Sequence, residues 1–211
     1  MLGKFIVFDG PDGSGKSTLV RKLSEHLRKQ LLTVVDVREP GGTCLGEKIR
    51  QIIKESPVDC PMSPKAEILL FNACRTELIS HVVRPALNAG EIVIADRYYH
   101  STLAYQVFGR KMSLLDTYDI IRYATEGLEP DLVFIVDAGH ETCLSRTRGR
   151  AAGTNDEKRF LIESKEYFDR VRQGYLTLAT SVNNVVVLNG EETEEQVFLK
   201  VLEHIKHLNL N

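Results

Sequence analysis

Nowhere in this chain do 18 apolar residues run together, which argues against a membrane-spanning helix. Its amino terminus, MLGKFIVFDG, has no apolar stretch long enough for a signal peptide. The expectation is a soluble, cytoplasmic protein that engages no membrane. There is no excess of charge either: 27 basic residues stand against 29 acidic ones, so no global field would draw the chain onto nucleic acid. Any anion site must be local. Cysteine is sparse, with Cys44, Cys60, Cys74 and Cys143 widely spaced and no C-x-x-C pair, which speaks against a zinc site or a disulfide framework. Buried, reduced thiols are the expectation. Internal repeats and low-complexity segments are missing as well, and 211 residues suit one domain carrying at most a small lid.

What is present alternates. KFIVFD (4–9), TVVDVR (33–38), EIVIAD (91–96), LVFIVD (132–137) and NVVVLN (184–189) are short, Val/Ile/Phe-rich runs of the kind that form strands buried on both faces. Between them lie helical patterns: Leu19, Leu23, Leu27 and Leu31 recur every fourth residue, and residues 65–87 and 160–179 are long enough to cross a domain. This order predicts an α/β fold, a five-stranded parallel sheet with helices on both faces and right-handed crossovers. Ligands then gather at the carboxyl ends of the strands. The segment RTRGRAAGTNDEKR (146–159) stands apart, poor in apolar residues and rich in arginine, and reads as a mobile basic lid over about 146–162.

FDGPDGSGKST (8–18) supplies the first chemistry. Gly10, Gly15, Lys16 and Ser17 satisfy G-x-x-x-x-G-K-[ST] between a strand and an amphipathic helix, a pattern that chance would produce in roughly one chain in a hundred of this length. Its backbone amides, with Pro11, Asp12, Gly13, Ser14 and Thr18 completing the loop, would cradle the phosphates of a nucleoside triphosphate. Lys16 would reach the β and γ phosphates and Ser17 would ligate Mg2+. A GTPase would want an N-K-x-D motif, which the chain lacks, and IVIAD ends in Asp96 followed by Arg97 rather than in Asp-Glu. Asp96 suits the Mg2+ hydration shell or a proton, with a helix cap or ion pair as the plain alternative. Arg97 offers a bidentate fork to a second phosphate.

Taken in order, FDGPDGSGKST, REPGGT (38–43), LLFNACR (69–75), DRYYHSTLAYQ (96–106), EPDLVFIVD (129–137) and the arginine-rich segment resemble the bacterial thymidylate kinases over essentially the whole chain. That resemblance implies a P-loop nucleoside monophosphate kinase-like fold and the reaction of Mg-ATP with dTMP to give ADP and dTDP. It also implies roles. Lys16 would stabilise the transferring phosphoryl group, Arg97 would bind the dTMP phosphate, and Asp12 would engage the sugar 3'-hydroxyl or its water shell. Gly13 stands where some relatives carry an arginine, so the lid's Arg146, Arg148 and Arg150 become the catalytic candidates. Phe71 would stack on thymine and Arg75, four residues on, would donate to a base carbonyl, although Phe71 could equally be plain core. Ser101, Tyr105 and Gln106 would line the base and deoxyribose pocket, with Glu39 and Pro40 on the opposite wall. Arg38 and Arg50 are weaker phosphate candidates, and Arg38 serves equally well as a surface ion-pair partner.

The chain also departs from the family pattern. Lys158, Arg159, Phe160 and Leu161 stand where an Asp-Arg-x-Glu run is common, His100 where an acid is common and Val107 where a glycine is common. His100 reads as a bystander that could make binding mildly pH-dependent near its ordinary pKa of about 6.5. Two other readings stay open: a kinase for another monophosphate such as dUMP, and a non-catalytic nucleotide-binding switch. The resemblance further implies a homodimer, for which the helix over 65–87 could offer an apolar face.

Overall fold

Central strands with no polar face form the middle of the molecule. The computed structural model describes residues 3–57, 60–151, 164–181, 183–208 and 210. Strands β1 (Lys4–Asp9), β2 (Val34–Arg38), β3 (Ile92–Asp96), β4 (Leu132–Asp137) and β5 (Val185–Asn189) form one parallel sheet in the order β2-β3-β1-β4-β5. The chain therefore leaves β1 toward one side of the sheet and later returns to the other, and the crevice at that reversal lies at the carboxyl end of β1. FDGPDGSGKST begins there.

Alternate residues of the central strands feed two cores. Phe5, Val7, Val93, Ala95, Val133 and Ile135 pack on the layer that holds α3 (Pro64–Leu78) and α8 (Lys165–Ser181). Ile6, Phe8, Ile94 and Phe134 pack on α1 (Lys16–Lys29) and α9 (Glu194–Ile205) through Leu19, Leu23, Val197 and Val201. Each Val, Leu, Ile or Phe side chain among them contributes about 1.5–3 kcal/mol by leaving water, so the sheet that carries the site is well anchored. The edge strands differ from expectation. β2 and β5 are only partly covered, because each has a neighbour on one side alone.

Leu31 is a second departure. It continues the four-residue spacing of Leu19, Leu23 and Leu27, yet it is 94% exposed, because α1 ends at Lys29 and Leu31 takes φ +65° in the turn that follows. The helical stretch expected over 65–87 is present as α3, a wide π turn (Ile79–Val83) and α4 (Arg84–Asn88). The remaining helices are α2 (Cys44–Lys54), α5 (Tyr99–Thr102), which runs into a π-helical stretch (Leu103–Gly109), α6 (Leu114–Thr125) and α7 (His140–Ala151). Residues 146–151 of the arginine-rich segment belong to α7. Residues 152–163, with Lys158, Arg159, Phe160 and Leu161, lie outside the described residues. Cys74 and Cys143 are buried as expected, and burial pushes their thiols up to about 11 and about 12. Cys44 and Cys60 are exposed, which corrects the expectation of four buried thiols.

Candidate active site

The amino terminus of α1 differs from those of α2, α3 and α9. Thr43, Ser63 and Thr193 each accept a backbone N–H at the start of α2, α3 and α9, closing those helix ends. α1 starts instead at Gly15, with φ +108° and no side-chain cap, so its first amides stay available to a ligand. The loop before it is packed tightly enough to fix its path: a Cβ on Gly10, at φ +136°, would lie 2.4 Å from the Val136 carbonyl oxygen.

Two clefts meet this loop. The larger, about 610 Å³, is where the structure brings together Lys16, Ser17 and Asp96 with Asp12, Arg97, Ser101, Tyr105 and Gln106, and with Glu39, Pro40, Phe71 and Arg75. A smaller cleft of about 340 Å³ runs along the outer side of the loop past Gly13, Ser14, Thr18, Arg146 and Gly190. Residues quoted from four separate motifs thus share one cavity, because each motif follows the carboxyl end of a strand or faces it from α3.

Lys16 is 5% exposed, and its Nζ donates to the Pro11 carbonyl at 2.8 Å. Burial and the nearby Arg97 cation lower its pKa to about 8 against the pull of Asp12, Asp96 and Asp9. A phosphate would supply the charge this ammonium lacks. Ser17 Oγ donates to Asp96 Oδ2 at 2.5 Å. Two hard oxygens so close fit Mg2+, which takes few protein ligands and completes its shell with water and phosphate. Among the described residues no cluster of three or more His, Cys, Asp or Glu side chains could hold a metal by itself.

Arg97 sits at the mouth of the strand with φ +78°, a backbone conformation uncommon for a non-glycine residue. Its Nη2 donates to Asp12 Oδ1 at 2.5 Å, and its Nη1 donates to the Gly10 carbonyl at 3.1 Å, Ser101 Oγ at 2.6 Å and Tyr175 Oη at 3.1 Å. Tyr105 Oη donates to Asp12 Oδ2 at 3.2 Å. Burial alone would raise the Asp12 carboxyl, but the Arg97 and Lys16 cations outweigh it and hold it well below the usual range. The side chain is 61% exposed to the cleft, so that balance favours the anion all the more.

Two residues the sequence reading left unassigned hold this cluster. Asp9, fully buried, accepts from the backbone N–H groups of Gly10, Tyr98 and Ser101 and from the hydroxyls of Ser101 and Tyr175. Asp9 lies inside the quoted loop motif, whereas Tyr175 comes from α8, where nothing in the local pattern marks it out. Arg75 is 2% exposed and forked onto Glu39, with Nε at 3.0 Å and Nη2 at 2.6 Å from Oε2. It also donates to Asn72 Oδ1 and Thr102 Oγ1, leaving one Nη1 hydrogen for a ligand. Burial raises the Glu39 carboxyl while Arg75 opposes it. Phe71 lines the cleft and also packs on Ile49 and Ile53, so it serves core and cavity together. Arg38 forks onto Glu47, the ion-pair alternative, and Arg38 and Arg50 both donate to the Pro40 carbonyl.

Of the three arginines expected in a lid, Arg146 donates from Nη1 to the Ser14 carbonyl at 3.1 Å, placing it on the loop, while Arg148 is exposed on α7. Arg150 belongs to the same helix. His100 is 2% exposed, stacked on Tyr99 at 4.1 Å, and burial pushes its pKa down to about 4. That overturns a pH dependence near 6.5.

A family model described as Thymidylate kinase matches residues 8–201. The chain belongs to the thymidylate kinase family. It is 38% identical over 209 residues to a thymidylate kinase of Carboxydothermus hydrogenoformans, covering 99% of this chain and all of the relative. The thymidylate kinase of Pelotomaculum thermopropionicum is 40% identical over 204 residues, covering 96% of this chain and 93% of the relative. The crystal structure of a thymidylate kinase from Ehrlichia chaffeensis superposes with a TM-score of 0.78 at 28% identity, covering 97% of this chain and 100% of the other. This enzyme family's fold is the one described above, a five-stranded parallel sheet with helices on both faces. Among the described residues no helix is long and apolar enough to cross a membrane.

Proposed function

We propose that this thymidylate kinase family member transfers the γ-phosphoryl group of Mg-ATP to the phosphate of dTMP, giving ADP and dTDP. One observation carries the reading: the loop lysine opens into the same cavity as a second set of ligand-facing groups, the buried Arg75 and the partly buried Arg97 and Phe71. A switch that only binds a nucleoside triphosphate has no use for that second set.

In this reading ATP lies along the smaller cleft with its phosphates over the amides of Gly13, Gly15 and Lys16, and the acceptor fills the larger one. Ser17 and Asp96 would hold Mg2+, which when bound neutralises charge on the β and γ phosphates. Arg97 forks onto the acceptor phosphate and Asp12 takes the sugar 3'-hydroxyl, while Phe71 stacks on the base and Arg75 donates to its carbonyl. An acceptor phosphate oxygen attacks the γ phosphorus in line, the bond to the β-bridging oxygen breaks, and ADP leaves. Lys16 follows the charge onto the transferring group, and Arg146, Arg148 and Arg150 are the candidates to supply charge from the lid side, with Arg146 already on the loop. Covering the reacting phosphates there suppresses hydrolysis. Catalysis is positioning and neutralisation, and no side chain need form a bond.

A single domain with a basic lid over about 146–162, and a homodimer using the α3 side, belong to the same proposal. Leu69 on α3 and Leu115 on neighbouring α6 are exposed apolar groups there. The deciding experiment is ADP release in a coupled assay with Mg-ATP and dTMP, dUMP, dCMP, UMP, CMP, AMP, GMP or thymidine, with Lys16→Ala as the blank. Turnover that favours dTMP is the expected result. Acceptor-independent ADP release, or preference for another monophosphate, overturns the assignment.

A further inference from the structure

Three residues one turn apart on α3 face the large cleft: Glu67, Phe71 and Arg75, at i, i+4 and i+8. Glu67 has no place in the phosphoryl-transfer chemistry, yet it is an acid only 8% exposed in the wall of a substrate cavity. Its carboxylate is held by Arg110, with Nε at 2.8 Å from Oε2 and Nη2 at 3.0 Å from Oε1. Oε2 also accepts from the Nε2 of Gln106 at 3.2 Å.

That last contact fixes a chemical direction. A carboxylate paired with arginine only accepts, so the Gln106 amide must point its NH2 at Glu67, and the flipped rotamer would set oxygen against oxygen. Gln106 is 3% exposed, and its carbonyl oxygen, which accepts no hydrogen bond among the described residues, is the end left for the cavity. Arg75 presents only donors. Beside the Phe71 ring the cleft therefore offers one acceptor and one donor.

We infer that Glu67 is a specificity-determining positioning residue: by holding the Gln106 amide carbonyl toward the base, it selects pyrimidines with an N3–H and a 4-keto oxygen and rejects cytosine. Cytosine carries a bare N3 and a 4-amino group, so it faces acceptor with acceptor and donor with donor. A site built to pair such groups discriminates strongly, because the wrong base leaves buried polar atoms unpaired. This rests on the dTMP reading of the large cleft.

The test is kcat/KM for dTMP and for dCMP with wild-type enzyme, Glu67→Gln, Gln106→Leu and the double variant. In Glu67→Gln the amide at 67 can donate as well as accept, which frees Gln106 to flip. The dTMP/dCMP ratio then falls by about tenfold or more, carried by a rise in KM for dTMP and a drop in KM for dCMP, with kcat moving less. Adding Glu67→Gln to Gln106→Leu changes the ratio no further. A purely structural Glu67 would lower both substrates alike, and an unchanged ratio overturns the inference. Should Glu67→Gln fail to fold, Arg110→Met loosens the same carboxylate: a fall in the ratio supports the proposal and a constant ratio defeats it. A wild-type enzyme with no turnover of dTMP is a different result, which removes the proposed function itself.

Discussion

The two sides of the large cleft hold their charges in opposite ways. On the side proposed for the acceptor the arginines are matched before any ligand arrives: Arg75 to Glu39, Arg97 to Asp12, Arg110 to Glu67. On the side proposed for the donor the Lys16 ammonium rests on a neutral carbonyl and α1 begins without a side-chain cap. The acceptor side is thus ordered by the fold, and its polar groups stabilise the native state provided each keeps its partner. The donor side waits for phosphate, and ligand binding rather than folding satisfies it. Substitutions should separate accordingly, with damage on one side felt in stability and damage on the other felt in turnover.

The largest effect is expected at Lys16. Lys16→Ala should lower kcat/KM for ATP by on the order of 10³, as losing a preorganised charge at developing negative charge does, while the melting temperature stays level or rises. A melting temperature several degrees lower would mean that the donor side is built like the acceptor side. The same residue sets a pH limit. Its cationic form is the one that meets phosphate, and with a pKa near 8 in the free enzyme, kcat/KM for ATP should fall as pH rises through about 8. Bound phosphates favour the cation, so kcat should persist to higher pH. His100, already neutral above about pH 4, should add no inflection near 6.5.

Next comes the acceptor side's buried pair. Glu39→Gln leaves the Arg75 guanidinium in place without its counter-charge, at a cost of about 3–5 kcal/mol. Urea unfolding measures it. If the loss is under about 1 kcal/mol, the ordinary yield of an exposed pair, the pair is not what orders this wall.

Much of this was legible in the sequence, for identifiable reasons. The strands could be read because buried parallel strands are continuous apolar runs, and the loop because phosphate binding constrains glycine, lysine and hydroxyl at fixed spacing. Leu31 misled because periodicity does not say where a helix stops. Tyr175 was invisible because its contact with Arg97 spans 78 positions and joins α8 to the link after β3, which no local pattern connects. Glu67 was hidden differently. It sits in a helix start rich in charge, where an acid reads as a favourable end group, and only packing shows its carboxylate turned onto Gln106 and Arg110. Arg75 was expected at a base carbonyl and lines the large cleft, but sequence could not show that most of its donors are spent on Glu39, Asn72 and Thr102.

Smaller effects are expected among the arginines of α7, where the donor side can be graded. Arg146 reaches the Ser14 carbonyl and Arg148 is exposed. Arg146→Ala should lower kcat by about tenfold, the loss of one charge-assisted contact, and Arg148→Ala by less than about twofold, as for a solvated surface charge. Single-turnover measurements with both variants check the order. Equal losses would place the acting charge elsewhere in the segment.

A single hydroxyl tests the seam between the two sides. Tyr175 Oη donates to Asp9 Oδ1 at 2.8 Å and lies 2.9 Å from Ser101 Oγ and 3.1 Å from Arg97 Nη1. Tyr175→Phe keeps the ring, and so the packing of α8 on the sheet, but removes this one hydroxyl. Asp9 retains Gly10, Tyr98 and Ser101 as donors, and Arg97 retains Asp12 and the Gly10 carbonyl, so neither is stranded. The loss should therefore be about 1 kcal/mol, the worth of a single hydrogen bond whose partners keep others. It should appear as a roughly fivefold rise in KM for dTMP, that energy converted to an affinity. KM for ATP should not move, because Lys16 and the loop amides do not touch the hydroxyl. A rise in KM for ATP of the same size would show that Arg97 is shared by both substrates before they meet, and the division between a fold-ordered acceptor side and a ligand-ordered donor side would then stop short of the residue that joins them.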